Sequence, residues 1–110
     1  MARYQYVILS QAKPGQEAEF IRWYKEQHLV DVARQPGVVS AKLFQPAVQK
    51  AYDVEIPDYV LMTMYELETD DPAATMEAIK ALAGSAEMPM TDALDKTGMI
   101  QVIAAQIAEA

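Results

Sequence analysis

The chain has 110 residues, 52% of them hydrophobic, and a formal net charge of -7; this is the size of one domain with material for a compact core, and residues 1-110 read as that single domain. Such acidity opposes nucleic acid, whose phosphates are gripped by clustered Lys and Arg, and no run of about 20 apolar residues offers a membrane span. With no Cys and one His, disulfides, thiol nucleophiles and a conventional zinc site lack ligands, and without an apolar stretch after Met1-Ala2-Arg3 the expected location is the cytoplasm.

Arg3 to Ser10 is rich in Tyr, Val and Ile and stops before Lys13-Pro14-Gly15, which predicts a first strand ending in a turn. From Gln16 the period changes. Ile21, Tyr24, His28 and Asp31 share a narrow arc at 100° per residue, with Phe20 beside them and Glu19, Arg22 and Glu26 opposite, as in an amphipathic helix. Leu29 and Ala33 leave that arc, so a bend or restart is expected after His28, before Pro36-Gly37 ends the helix. Val38 to Gln45 reads as a second strand, Pro46 to Pro57 as a loop, and Asp58 to Glu68 as a third strand. Asp71 suits a helix cap, Pro72 the first helical position and Gly84 the left-handed residue past the end, with Met76, Ile79 and Ala83 as the buried stripe. Ser85 to Thr97 is expected to be irregular or to hold one short turn at Thr91-Asp92, and Met99 to Ile107 to form the last strand.

This order, strand, helix, strand, strand, helix, strand, is that of the α+β ferredoxin-like fold with a four-stranded antiparallel sheet. Tyr4, Tyr6 and Ile8 alternate with Val7 and Leu9, and Tyr59, Leu61, Tyr65 and Leu67 with Val60, Met62 and Met64, so both sheet faces are apolar. Two helices cover one face. Leaving the other wet would exceed the roughly 300–600 Å² apolar patch of ordinary monomers. A second copy is the expected cover, giving a homodimer through the sheet face.

The segments Phe20-Ile21-Arg22-Trp23-Tyr24-Lys25-Glu26-Gln27-His28-Leu29-Val30-Asp31, Gln35-Pro36-Gly37-Val38-Val39-Ser40-Ala41 and Tyr59-Val60-Leu61 leading to Tyr65-Glu66 resemble the EthD-like branch of the dimeric α/β-barrel superfamily. The Trp-Tyr-x-x-x-His-Leu-x-Asp run with its Pro-Gly is the most specific part. The resemblance implies a two-subunit barrel with a sparsely polar pocket between sheet and helices, and it marks His28 as the residue matching the branch's histidine. The wider superfamily includes cofactor-free monooxygenases, muconolactone isomerases, polyketide cyclases and haem-degrading enzymes, so the fold carries over more firmly than the activity.

His28 is the one side chain whose ordinary pKa, about 6.5, suits proton transfer near neutrality; the alternative is a core histidine bonded to a backbone carbonyl. Asp31, three residues on, either orients His28 or serves as an exposed charge or cap on a restarted helix. Tyr24, one turn before His28, offers an aromatic wall and a hydroxyl to a ligand, or simply core packing. Tyr6 and Tyr65 are candidate pocket residues whose face the sequence leaves open, and Phe20 and Phe44 are the candidate apolar lining. Met88-Pro89-Met90 reads as loop packing or as a soft lid. Asp70-Asp71 and Glu66-Glu68 read as a cap and solvated charge, and no phosphate loop, nucleophile elbow or dinucleotide fingerprint is present. The expected function is a cofactor-independent enzyme, of lyase, isomerase, cyclase or monooxygenase type, acting on a small hydrophobic oxygenated compound such as an aromatic catabolite. A non-catalytic dimer that binds a small molecule or accompanies a catabolic pathway is the alternative.

Overall fold

The computed structural model describes residues 1–110. Its strands are β1 (Ala2–Ala12), β2 (Val38–Phe44), β3 (Leu61–Thr69) and β4 (Leu94–Ala104). They form one antiparallel sheet in the order β2-β3-β1-β4. The first helical region runs as α1 (Glu17–Trp23), a π-helical turn (Tyr24–His28) and α2 (Leu29–Ala33); the second is α3 (Pro72–Ala81). This is the ferredoxin-like α+β architecture that the element order predicts.

Strand alternation decides which residues meet the helices. On β3, Leu61, Thr63, Tyr65 and Leu67 are buried, and on β1 so are Tyr6, Ser10 and Ala12. Together they form two adjoining clusters. One joins Tyr6, Tyr65 and Leu67 to Val32, Ile79 and Met88; the other joins Ala12 and Leu61 to Phe20, Trp23, Tyr24 and Ala93. Both helical regions therefore lie on one face. The opposite face carries Phe44, Met62, Leu9 and Ile100 in one row across all four strands, and Lys42, Met64, Val7 and Val102 in the next. Phe44, Ile100 and Val102 on it are exposed. Toward one end of that face Arg3 bridges Glu66 at 2.7 Å and Glu68 at 3.0 Å.

Three strands differ in their bounds from the sequence expectation. The first strand continues past Ser10, because a register shift between Leu9 and Gln11 lets Gln11 and Ala12 pair with Asp95 and Leu94. The last strand accordingly begins at Leu94 rather than Met99 and ends at Ala104. The polar stretch Asp95-Lys96-Thr97 hides this, and Gly98 supplies the positive φ of 71° that the irregular strand requires. The third strand starts at Leu61 rather than Asp58, since Tyr59 is held by a side chain instead of a strand. The Tyr59 amide donates to Gln49 Oε1 at 3.1 Å, and Gln49 Nε2 donates to the Tyr59 carbonyl at 2.7 Å.

In the second helix, Asp71 Oδ1 accepts from the Ala74 amide at 3.0 Å and Pro72 is the first helical residue, as the capping pattern predicts. No helix is long and apolar enough to cross a membrane.

Candidate functional site

A cavity of about 330 Å³ opens between the sheet and the helices, at the small end of the roughly 300–1,000 Å³ usual for ligand sites. Tyr6, Ile8 and Ser10 of β1 and Tyr65 of β3 form its floor. Trp23, Tyr24, His28 and Val32 form one wall, α3 contributes Ile79 and Lys80, and Met88, Met90, Met99 and Gln101 close the far side. The lining is mostly apolar.

The π-helical turn sets the geometry at His28. On a regular α-helix, residues five apart point roughly 140° away from each other. Here the His28 ring instead stacks on Trp23, with centroids 4.4 Å apart and planes 18° apart. Tyr24 meets the same ring edge-on at 5.0 Å and 88°. The widened turn thus brings both aromatic neighbours onto His28, and such turns recur at functional positions. They also explain why Leu29 leaves the sequence's 100° arc.

His28 Nδ1 is buried and has no hydrogen-bond partner. Burial pushes the ring pKa from 6.5 down to about 4, against the field of Asp31, which acts to raise it. The imidazole is therefore neutral at pH 7. Asp31 is buried but does not hold the ring: its Oδ2 accepts from Gln27 Nε2 at 2.7 Å. The orienting contact expected from the three-residue spacing is replaced by this bond within the helix.

Three further buried polar atoms lack partners: Ser10 Oγ, Thr63 Oγ1 and Tyr65 OH. Ser10 and Tyr65 share the cavity with His28. Thr63 and Tyr65 lie close enough to the Tyr24 hydroxyl to affect its titration, and Tyr24 that of Tyr65, yet the Tyr65 hydroxyl completes no bond of normal geometry. Burial raises the pKa of Tyr24 and of Tyr65 and takes that of Tyr6 to about 12, so all three remain protonated donors. The Tyr6 hydroxyl already donates to Gln101 Oε1 at 2.8 Å.

Of the residues singled out by sequence, the structure brings His28, Tyr24, Tyr6 and Tyr65 together around the cavity. Phe20 is fully buried behind it, stacked on Trp23 at 6.0 Å and edge-on to Tyr24 at 5.8 Å. Phe44 is exposed on the opposite sheet face. Neither lines the space. Sequence reasoning missed Trp23, whose indole Nε1 donates to the Pro89 carbonyl at 3.1 Å and ties the Met88–Met90 segment to the wall. Met88 is buried in the core, and both methionines face the cavity. Ser10 was also missed, although its even-numbered place with Tyr6 and Ile8 was a readable signal. No group of three or more His, Asp or Glu is placed to hold a metal ion.

Fold and site together define a ferredoxin-like α+β chain with a small, mostly apolar pocket on its helical side. No protein-family model matches the sequence, and no curated protein matches it either. Solved structures do match it. A candidate monooxygenase from Shewanella loihica PV-4 is 16% identical with a TM-score of 0.62, covering 98% of this chain and 97% of its own. An ethyl tert-butyl ether D (EthD) family protein from Bacillus halodurans C-125 is 15% identical at a TM-score of 0.52, covering 96% and 99%. A DABB family protein with a ferredoxin-like fold from Mesorhizobium loti MAFF303099 is 11% identical at 0.54, covering 98% and 100%. At these identities the likeness is one of fold.

Proposed function

We propose that the chain is a cofactor-independent enzyme that binds a small hydrophobic oxygenated molecule and moves a proton through His28. One observation carries this reading: Ser10 Oγ, His28 Nδ1 and Tyr65 OH are buried, unpartnered and set on a mostly apolar cavity. Each such atom costs roughly 1–3 kcal/mol unless something satisfies it, and a ligand bearing oxygen atoms does so. A neutral imidazole in a dry site accepts a proton most readily when an enolate or phenolate forms beside it, since the new anion offsets the desolvation of the cation. Tyr24 and Tyr65, held as protonated donors, suit the developing oxygen charge. Isomerase, cyclase, lyase and monooxygenase steps on an acidic carbon or phenol all begin this way. Aromatic catabolism in the cytoplasm fits such substrates.

The partner in this reading is a second copy. The two apolar rows on the helix-free face, centred on Leu9, Met62, Met64 and Val7, are half-buried at the centre and exposed at Phe44, Ile100 and Val102, and the molecule is a slab only 19 Å thick, one layer of helix on one of sheet. Sheet against sheet buries both apolar faces.

The fall of the His28 pKa to about 4 favours one rival, a binding protein in which the ring only donates or accepts a hydrogen bond. Deuterium exchange into a cyclic β-diketone or a naphthol, followed by NMR in wild type and His28→Asn, separates the two. The enzyme reading expects exchange above background in wild type that is lost in the variant while the compound still binds. Binding without catalysed exchange in either form establishes the rival.

A further inference from the structure

The unpartnered polar atoms lie along the inner wall of the cavity, whereas its charges lie elsewhere and share one sign. Of 17 lining residues, the only ones charged at neutral pH are Lys80 on α3 and Lys96 on β4. The chain carries 16 Asp and Glu against 9 Lys and Arg, so a lining without a carboxylate runs against the composition. Both lysines are exposed, which puts the positive charge where the cavity meets water.

The nearby carboxylates leave these ammonium groups capacity. Lys80 Nζ stands 3.6 Å from Glu77 Oε1, well beyond the roughly 2.7–2.9 Å of a charge-assisted bond, and an ammonium has three donors. Lys96 takes part in none of the ion pairs of the chain. Its neighbour Asp95 accepts from the Thr97 amide at 2.9 Å and lies in the field of Lys13. Ile8, Ile79, Met88 and Met99 supply apolar lining. The cavity is thus cationic at its exposed rim, hydrogen-bonding at its buried atoms and apolar over most of the remaining lining, and a matching occupant has three corresponding parts.

We infer that the occupant is a small amphipathic organic anion, with a carboxylate at the mouth beside Lys80 and Lys96 and an oxygen-bearing apolar body directed at Ser10, Tyr65 and His28. This rests on the small-molecule reading and narrows its ligand class. The lysines remain hydrated, so the attraction is modest and screened by salt. It supplies selectivity, and the apolar body supplies most of the affinity.

Trp23 is the only tryptophan and lines the cavity, so its fluorescence reports occupancy directly. The test titrates 4-acetylbenzoate and 4-acetylbenzyl alcohol, which carry a ketone oxygen at the far end of the ring, into the wild-type protein at low and high salt, and into the double variant Lys80→Gln/Lys96→Gln. The expected result is about five-fold tighter binding of the benzoate at low salt, the size of one or two half-exposed ion pairs. That ratio falls toward one in high salt and in the double variant. Equal affinities in wild type, or a preference that survives loss of both lysines, overturn the anionic class and leave the small-molecule reading standing. If neither compound alters Trp23 emission, both fall together.

Discussion

Replacing Tyr65 by Phe removes a single oxygen and separates stability from binding. The ring is 1% exposed and packs against Tyr6 at 5.8 Å and 53°, and Phe preserves those contacts. What disappears is a hydroxyl that has no partner, and relieving one buried unsatisfied group is worth about 1 kcal/mol at the low end of the usual range. For a chain of this size that raises the melting temperature by about 4–6 °C. The same change deletes a donor from the cavity, so a bound oxygenated ligand loses about five-fold in affinity. Thermal unfolding followed by circular dichroism at one fixed protein concentration gives the first number, and Trp23 fluorescence gives the second. A variant less stable than wild type by more than about 0.5 kcal/mol would refute the reasoning, because it would mean that the hydroxyl is already satisfied in the folded protein.

Further outcomes follow from the same structure. The His28 pKa is depressed from 6.5 to about 4, so the unfolded chain binds the extra proton first; stability is full above pH 6.5 and lost as pH falls toward 4, by up to about 3 kcal/mol. The difference in urea unfolding between wild type and His28→Asn across that window reads this directly, and a difference independent of pH contradicts it. Leu9→Asp or Met64→Asp puts a charge at the centre of the helix-free face, and sedimentation should show dimer affinity reduced roughly a hundred-fold or more; an unchanged sedimentation coefficient that already matches a monomer in wild type removes the dimer. Gly98→Ala would place a methyl carbon 2.5 Å from Pro57 Cγ at a φ of 71°, and should cost about 2 kcal/mol or more in denaturant unfolding.

The element order was legible because strand alternation and helical arcs are written in apolar spacing, and the second helix also carries its own cap in Asp71-Pro72. What stayed hidden depends on non-local or irregular backbone. Residues 94–98 read as loop since Asp95, Lys96 and Thr97 are polar and Gly98 suggests a turn; their strand character comes from pairing with Gln11 and Ala12 across a register shift, which no local pattern encodes. In the first helical region, the period of 3.6 placed His28 beside Tyr24, as observed, but could not bring Trp23 to it. That contact exists only because the backbone widens into a π-turn, and the residues Tyr24–His28 carry no Pro or Gly to announce it. Asp31 acts on His28 only through its field, and spacing alone could not foresee that Gln27 would take its carboxylate. Phe44 shows the same limit from the other side: its apolarity matched the pocket and the open sheet face equally, and only the register with Met62 decided between them.

The nitrogen NMR spectrum of the lone imidazole, recorded at pH 7 with and without 4-acetylbenzoate, tests the central claim most directly. A neutral ring in the free protein whose Nδ1 or Nε2 resonance moves on addition of the compound is the predicted result. A ring half-protonated near pH 6.5 in the free protein, or one whose resonances ignore a compound that binds, would contradict the placement of His28 on a dry cavity that admits a guest.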